Sequence, residues 1–180
     1  MAKDFDPHHL DIRRFAEEGA EIESSADVAG FARLLAETTD PAKAQAVHWH
    51  ARGEIANPSH VQPQVWLHLQ ADTQLALVCQ RCLLPVDVAV AVDRSFRFVE
   101  DEATAAAQDD DAEEDLLVLS RSFDLLELVE DELLMELPVA PRHEVCPEPV
   151  KMSVADPDFD ASSVEKEHPF AVLGRLKTGK

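Results

Sequence analysis

Alternating apolar and polar residues dominate the middle of the chain. The alternation runs through three segments, 47–52, 65–69 and 86–98. A period of two is typical of a half-buried strand. Asp72 and Thr73 predict a turn, after which residues 74–78 form a further short strand. With a last buried strand at 116–119, the pattern predicts an antiparallel β-meander.

Helical spacing of apolar residues flanks this region. It predicts helices over 7–18 and 27–37 and a short helix that begins at Pro169 near the end of the chain. The clearest helix signal lies at 125–136, because Asp124 is a good N-cap with a capping-box glutamate three residues later. We expect this helix to stop before Pro138.

These elements together predict an α+β fold, in which one capped helix packs on the β-meander, with N-terminal helices and a short C-terminal helix. We divide the chain into an N-terminal helical segment (1–40), a core α+β domain (41–150) and an acidic linker with the C-terminal helix (151–180). The core domain includes an acidic loop at 100–115.

The capped helix carries carboxylates on both of its sides. A helical wheel places Glu130 opposite the apolar face, whereas Glu132 and Glu136 fall inside the apolar arc. Two stacked carboxylates can form a general acid/base pair, but they can equally bind an arginine from the sheet, and we favour this second interpretation. The arginines available for it are Arg81, Arg94 and Arg97.

Charge narrows the range of functions. The chain has 36 acidic and 16 basic residues and a net charge of −20, which argues against a broad phosphate-binding surface. Residues 100–115 hold no basic residue, and we interpret them as a mobile, solvated insertion or, alternatively, as a grip for a basic protein. Lacking a membrane-length apolar run or a secretory signal, the protein is expected in the cytoplasm.

The cysteines suggest a metal site. Cys79 and Cys82 form a C-x-x-C motif, and His143 and Cys146 have H-x-x-C spacing. Three thiols and an imidazole are a ligand set that suits tetrahedral zinc. A structural zinc ion would require the second half of the chain to close onto the first. Two free thiols packed in a turn, or a redox dithiol, are the competing interpretations.

Five motifs in order give the chain a resemblance to a known family. They are 79–82 before a valine-rich strand, 124–126 leading to 129–132, 137–138, the His143–Cys146 pair, and 169–173. Together they resemble the YceD family, named for accumulation of the large ribosomal subunit RNA. The resemblance extends over nearly the whole chain.

The resemblance implies a ribosome-biogenesis factor that supports synthesis, processing or stability of large-subunit (23S) ribosomal RNA. It also implies a ribosomal protein or assembly factor as partner, for example a small basic ribosomal protein, with indirect or limited RNA contact. We expect no enzymatic activity. The alternatives are a metal- or carboxylate-dependent ribonuclease and an acidic chaperone for a basic ribosomal protein. The predicted partner-binding residues are Arg81, Glu130, Glu132, Phe170 and Leu173.

Overall fold

A five-stranded sheet forms the centre of the computed structural model, with its strands side by side in chain order. The first four strands pair antiparallel, and the fifth pairs in parallel with the fourth. The predicted α+β fold built on a meander is therefore confirmed. The strands are β1 (Glu21–Ala26), β2 (Val47–Ala56), β3 (Gln64–Val78), β4 (Pro85–Val99) and β5 (Asp115–Val118).

The structure describes residues 5–60, 63–148 and 154. The chain divides into two units, Met1–Pro147 and Glu148–Lys180, and all the helices and strands named here belong to the first. The predicted C-terminal helix lies outside the described residues.

Within the described residues, four α-helices accompany the sheet, together with short 3₁₀ segments at Val28–Gly30 and Asp109–Asp111. No helix in the described part of the chain is long and apolar enough to cross a membrane. The α-helices are α1 (Ile12–Glu17), α2 (Ala32–Glu37), α3 (Glu102–Gln108) and α4 (Leu125–Met135). The predicted capped helix is confirmed as α4, because the Asp124 carboxylate accepts hydrogen bonds from the amides of Leu126 and Glu127.

The sheet has one buried and one open face. Alternate residues of the strands pack with α1, α2 and α4 into one apolar core, whose largest fully buried members include Phe15, Leu34, Phe96, Leu125 and Leu133. The opposite face carries polar side chains such as His48, Gln70 and Asp72, which are exposed. The period-two alternation is therefore explained by a sheet that helices cover on one face only.

The predicted turn at Asp72 and Thr73 is wrong, because β3 runs unbroken through both residues. Asp72 lies opposite His48 on β2 and Ala91 on β4. Thr73 is buried, and its hydroxyl donates a 3.1 Å hydrogen bond to the carbonyl of Gln45. The polarity of Asp72 therefore marks the open face of the sheet, and not a break in the strand.

The N-terminal segment contains a strand that sequence patterning missed. α1 begins at Ile12, capped by Asp11, and ends before Gly19, whose φ is +55°. β1 then forms one edge of the sheet, with mostly exposed residues. The second predicted helix is divided into a 3₁₀ turn and α2. A polar edge strand has too little alternation to be recognised as a strand.

The acidic segment 100–115 contains a helix where the sequence predicts a mobile loop. It contains α3, which Asp101 caps by accepting a 2.8 Å hydrogen bond from the amide of Thr104. Its C-terminal end is tied to β4 by ion pairs between Glu114 and Arg97 and between Asp115 and Arg94. Local capping and arginines on β4 therefore give structure to a segment whose composition suggests a solvated loop.

Glu130 of α4 is buried against the start of α2. One of its oxygens accepts hydrogen bonds from the amides of Arg33 (2.7 Å) and Leu34 (3.1 Å). The other accepts from the Arg33 guanidinium at 2.9 Å. Phe31 occupies the N-cap position of α2 and offers no capping side chain, so a carboxylate from a different helix performs that role. The wheel placed Glu130 on the solvent side because it does not show contacts with α2.

This cap predicts a pH-dependent contribution to stability. Although burial raises the pKa of Glu130, the amides of Leu34 and Arg33 and the Arg33 guanidinium lower it further than burial raises it. Glu130→Gln should lower the free energy of unfolding at pH 7 by about 1–3 kcal/mol, since it removes a charged acceptor. Because a lowered pKa stabilises only the ionised form, the difference should shrink as pH falls below about 4.

Urea unfolding of both proteins between pH 7 and pH 3 measures this difference. Glu136→Gln, at the exposed C-cap position of the same helix, is the matched control and should change stability by less than about 0.5 kcal/mol. A difference between parent and Glu130→Gln that widens as pH falls would contradict the cap.

Gly53 of β2 predicts a second stability effect. A Cβ built on it would lie 2.8 Å from backbone atoms of Phe15 and Ala16, so the missing side chain lets α1 lie directly on the strand. Gly53→Ala should cost about 1–3 kcal/mol by overpacking. Gly30→Ala, where a Cβ meets nothing within 4 Å, should cost much less. Thermal unfolding of the two variants compares them, and equal midpoints would refute the close approach.

Candidate metal centre

The loop between β3 and β4 forms the first half of the site. The amide of Cys79 donates a 3.0 Å hydrogen bond to the carbonyl of Leu84, and the amide of Leu83 donates a 2.9 Å bond to the carbonyl of Cys79. Leu83 has a left-handed backbone with φ +62°. These two bonds fold the C-x-x-C motif into a tight turn at the end of the two longest strands.

The chain after α4 forms the second half. The amide of Gln80 donates a 2.8 Å hydrogen bond to the carbonyl of Pro141. His143 Nε2 lies 3.0 Å from the carbonyl oxygen of Pro85. Both bonds hold the segment that follows Pro138 against the β3–β4 turn. The structure therefore confirms the predicted closure of the second half of the chain onto the first.

The four predicted ligands lie together. The sulfur atoms of Cys79, Cys82 and Cys146 and a ring nitrogen of His143 are all within 4.8 Å of one another. Zinc bonds of about 2.3 Å to sulfur and 2.0–2.1 Å to nitrogen place tetrahedral ligand atoms about 3.6–3.8 Å apart. The described distances therefore need to shorten by at most about 1 Å to enclose an ion. This group can bind a metal.

His143 is held in the tautomer that a metal requires. The carbonyl of Pro85 can only accept a hydrogen bond, so Nε2 carries the proton and donates it. Nδ1 is then unprotonated and lies 3.4 Å from Cys82 Sγ. A ligating histidine whose second nitrogen donates to a backbone carbonyl is the usual arrangement in metal sites.

Backbone amides favour a thiolate at Cys79. Burial raises its pKa, but the backbone N–H groups of Cys82, His143 and Arg81 outweigh burial and lower the pKa to about 5. The pKa of Cys146 is raised, first by burial and then by the neighbouring Cys82 and Cys79 thiols. Negative charge is thus favoured on the buried sulfur, and further thiolates in the cluster need a cation beside them.

The acidic residues of α4 do not join this cluster. Glu130 caps α2, and Glu132 is buried with its Oε2 3.9 Å from Arg94 Nε. Burial raises the pKa of Glu132, and the Arg94 charge opposes that rise. Glu136 is exposed. The pairing of Glu132 with an arginine of the sheet agrees with the favoured interpretation of these carboxylates.

The other predicted partner-binding residues lie in different places. Arg81 is exposed on the β3–β4 turn, directly between the two cysteines of that turn. Glu130 and Glu132 are buried in contacts within the chain. Phe170 and Leu173 lie outside the described residues.

Sequence reasoning identified the four clustered side chains and missed the groups that position them. The carbonyls of Pro85 and Pro141 fix His143 and Gln80 through backbone atoms. Every residue has such a carbonyl, so no sequence pattern marks these two. In the described part of the chain, the three cysteines and His143 form the one identified group of three or more potential metal-ligating side chains.

A family model described as "Large ribosomal RNA subunit accumulation protein YceD" matches residues 67–177. The matched region begins inside β3 and contains all four clustered ligands. The first 66 residues lie outside it, so the match is shorter than the nearly whole-chain resemblance expected from the motifs. No solved structure matches the chain.

Proposed function

Because the chain belongs to the YceD family, which is named for accumulation of the large ribosomal subunit RNA, we propose that it is a ribosome-biogenesis factor acting through protein contacts. In this proposal the protein supports the synthesis, processing or stability of that RNA without cleaving it. The family match over residues 67–177 is the observation that carries the proposal.

Charge supports a protein partner over direct RNA binding. The net charge of −20 repels phosphate, and several of the described arginines are already paired with carboxylates, including Arg33, Arg94 and Arg97. A basic ribosomal protein or assembly factor is the partner class that an acidic surface attracts.

The cluster supports a structural role for a bound metal. Four protein ligands complete a tetrahedral site and leave no position for a water nucleophile, whereas catalytic zinc sites keep one open. The alternative function, a metal-dependent ribonuclease, gains no support from such a closed site. A carboxylate-dependent ribonuclease gains none from Glu132, whose buried carboxylate is paired with Arg94 at 3.9 Å.

We further propose that the metal is zinc and that it fastens the segment after α4 to the β3–β4 turn. Three sulfurs and one imidazole suit zinc better than the harder magnesium or calcium ions, which prefer oxygen. Backbone hydrogen bonds already bring these segments together, so the metal would add stability to a closure that the polypeptide begins.

The zinc proposal predicts about one equivalent of zinc in protein purified without chelators. Cys146→Ser should reduce this to less than about a tenth and lower the thermal midpoint, because one of four ligands is lost. Elemental analysis and thermal unfolding measure the two effects. His48→Ala, on the open face of the sheet, is the matched control and should keep its zinc. Parent protein with less than about a tenth of an equivalent would refute a tight site.

The functional proposal predicts that depleting the protein lowers large-subunit RNA relative to small-subunit RNA. Quantifying both RNAs in depleted cells measures the ratio, and expression of the parent chain should restore it. Unchanged ratios would contradict the proposal. Cleavage of precursor RNA by the purified protein, abolished by Glu132→Gln, would instead establish the ribonuclease alternative.

A further inference from the structure

Leu83 is an unusual residue for its position. Its side chain is 74% exposed, and its backbone has φ +62°. The left-handed region disfavours residues with a branched side chain and favours glycine or asparagine. The turn would therefore form more easily with either of those residues. Neither packing in the core nor the backbone geometry explains a leucine here. Its exposed side chain is available for contact with another molecule.

Two further aliphatic side chains are exposed on the loops that converge at the metal centre. Val145 lies between the ligands His143 and Cys146 and is 85% exposed. Val139 is fully exposed and lies two residues before Pro141, whose carbonyl binds the amide of Gln80. We call Leu83, Val139 and Val145 the knuckle patch.

The knuckle patch is carried by loops with fixed positions. Leu83 is held by the hydrogen bond from its backbone amide to the carbonyl of Cys79. The segment with Val139 and Val145 is held by the hydrogen bonds of Pro141 and His143. Exposed apolar side chains on pre-arranged backbone lose little conformational entropy when a partner covers them. This is a favourable arrangement for a protein interface.

The charges near the patch resemble the rim of such an interface. Arg81, Arg142 and Glu144 are exposed and are chain neighbours of the clustered residues. Apolar centres bordered by polar groups of both signs are characteristic of protein–protein contacts. The charges beside the patch would therefore orient a bound partner, while the net negative charge of the rest of the chain attracts a basic partner from a distance.

The net charge of the chain indicates which kind of molecule can bind at the knuckle patch. A chain with net charge −20 repels RNA and also repels a second copy of itself. Arg81 and Arg142 border the patch, but its apolar side chains are aliphatic and offer no aromatic ring on which unpaired bases stack. A positively charged protein is attracted by the same charge and can cover leucine and valine.

We infer that the knuckle patch is the docking surface for a basic protein of the large ribosomal subunit. This inference rests on the proposed function and adds to it the location of the contact and the chemistry of the partner. Covering Leu83 supplies apolar burial at the centre of the interface, and the acidic chain supplies attraction that weakens with salt.

Binding of the full chain to large-subunit ribosomal proteins, extracted from purified subunits and freed of RNA, tests the inference. Leu83→Asn is the decisive variant because asparagine tolerates the left-handed backbone while removing the apolar side chain. It should be at least as stable as the parent and hold the same amount of metal. Its affinity for the retained basic protein should fall about tenfold or more.

Leu83→Met is the matched control, since it keeps an apolar side chain at the same backbone position, and its binding should stay within a few-fold of the parent. Parent binding should weaken between 0.15 and 0.5 M salt, where surface charge is increasingly screened. Equal binding by the parent and Leu83→Asn would overturn the knuckle patch while leaving the proposed function intact.

Other outcomes would overturn the choice of occupant. If Leu83→Asn loses binding to large-subunit RNA and not to protein, the patch is an RNA site. If the parent sediments as a dimer and Leu83→Asn as a monomer, the patch joins two copies. If the parent retains no ribosomal protein, the inference fails together with the protein-contact mechanism, whereas the ratio of the two ribosomal RNAs still tests the biogenesis role separately.

Discussion

The return of the chain to the β3–β4 turn is the constraint on which the candidate metal centre depends. Two hydrogen bonds to backbone carbonyls, from Gln80 to Pro141 and from His143 to Pro85, bring the second ligand pair to the first. The same bonds orient His143 Nδ1 toward Cys82 and fix the exposed loops around the ligands. The arrangement of the four clustered side chains and the proposed docking surface therefore both depend on this return of the chain.

A contact between helices α2 and α4 supports the elements that lead the chain back to the β3–β4 turn. Glu130 caps α2 from α4, which joins the N-terminal segment to the helix that directs the chain back toward the turn. A buried carboxylate with three donors is stable only while those donors remain in place. The cap therefore couples a region outside the family match to the region within it.

Sequence patterns predicted the features that depend on local chemistry. The alternation in β2 and β4, the Asp124 cap and the ligand spacing of Cys79 and Cys82 all follow from short-range rules, and each appears in the structure. β1 and the role of Glu130 were missed because both depend on neighbours distant in the chain. Asp72 was misinterpreted because a polar residue on an open sheet face resembles one in a turn. The positions of Pro85 and Pro141 carry no side-chain signal at all.

X-ray absorption at the zinc edge of the purified full chain tests the central claim most directly, because it reports the atoms bound to the metal. We expect three sulfur neighbours at about 2.3 Å and one nitrogen at about 2.0–2.1 Å. A shell dominated by oxygen or nitrogen, or one with fewer than three sulfurs, would contradict a centre built from Cys79, Cys82, His143 and Cys146.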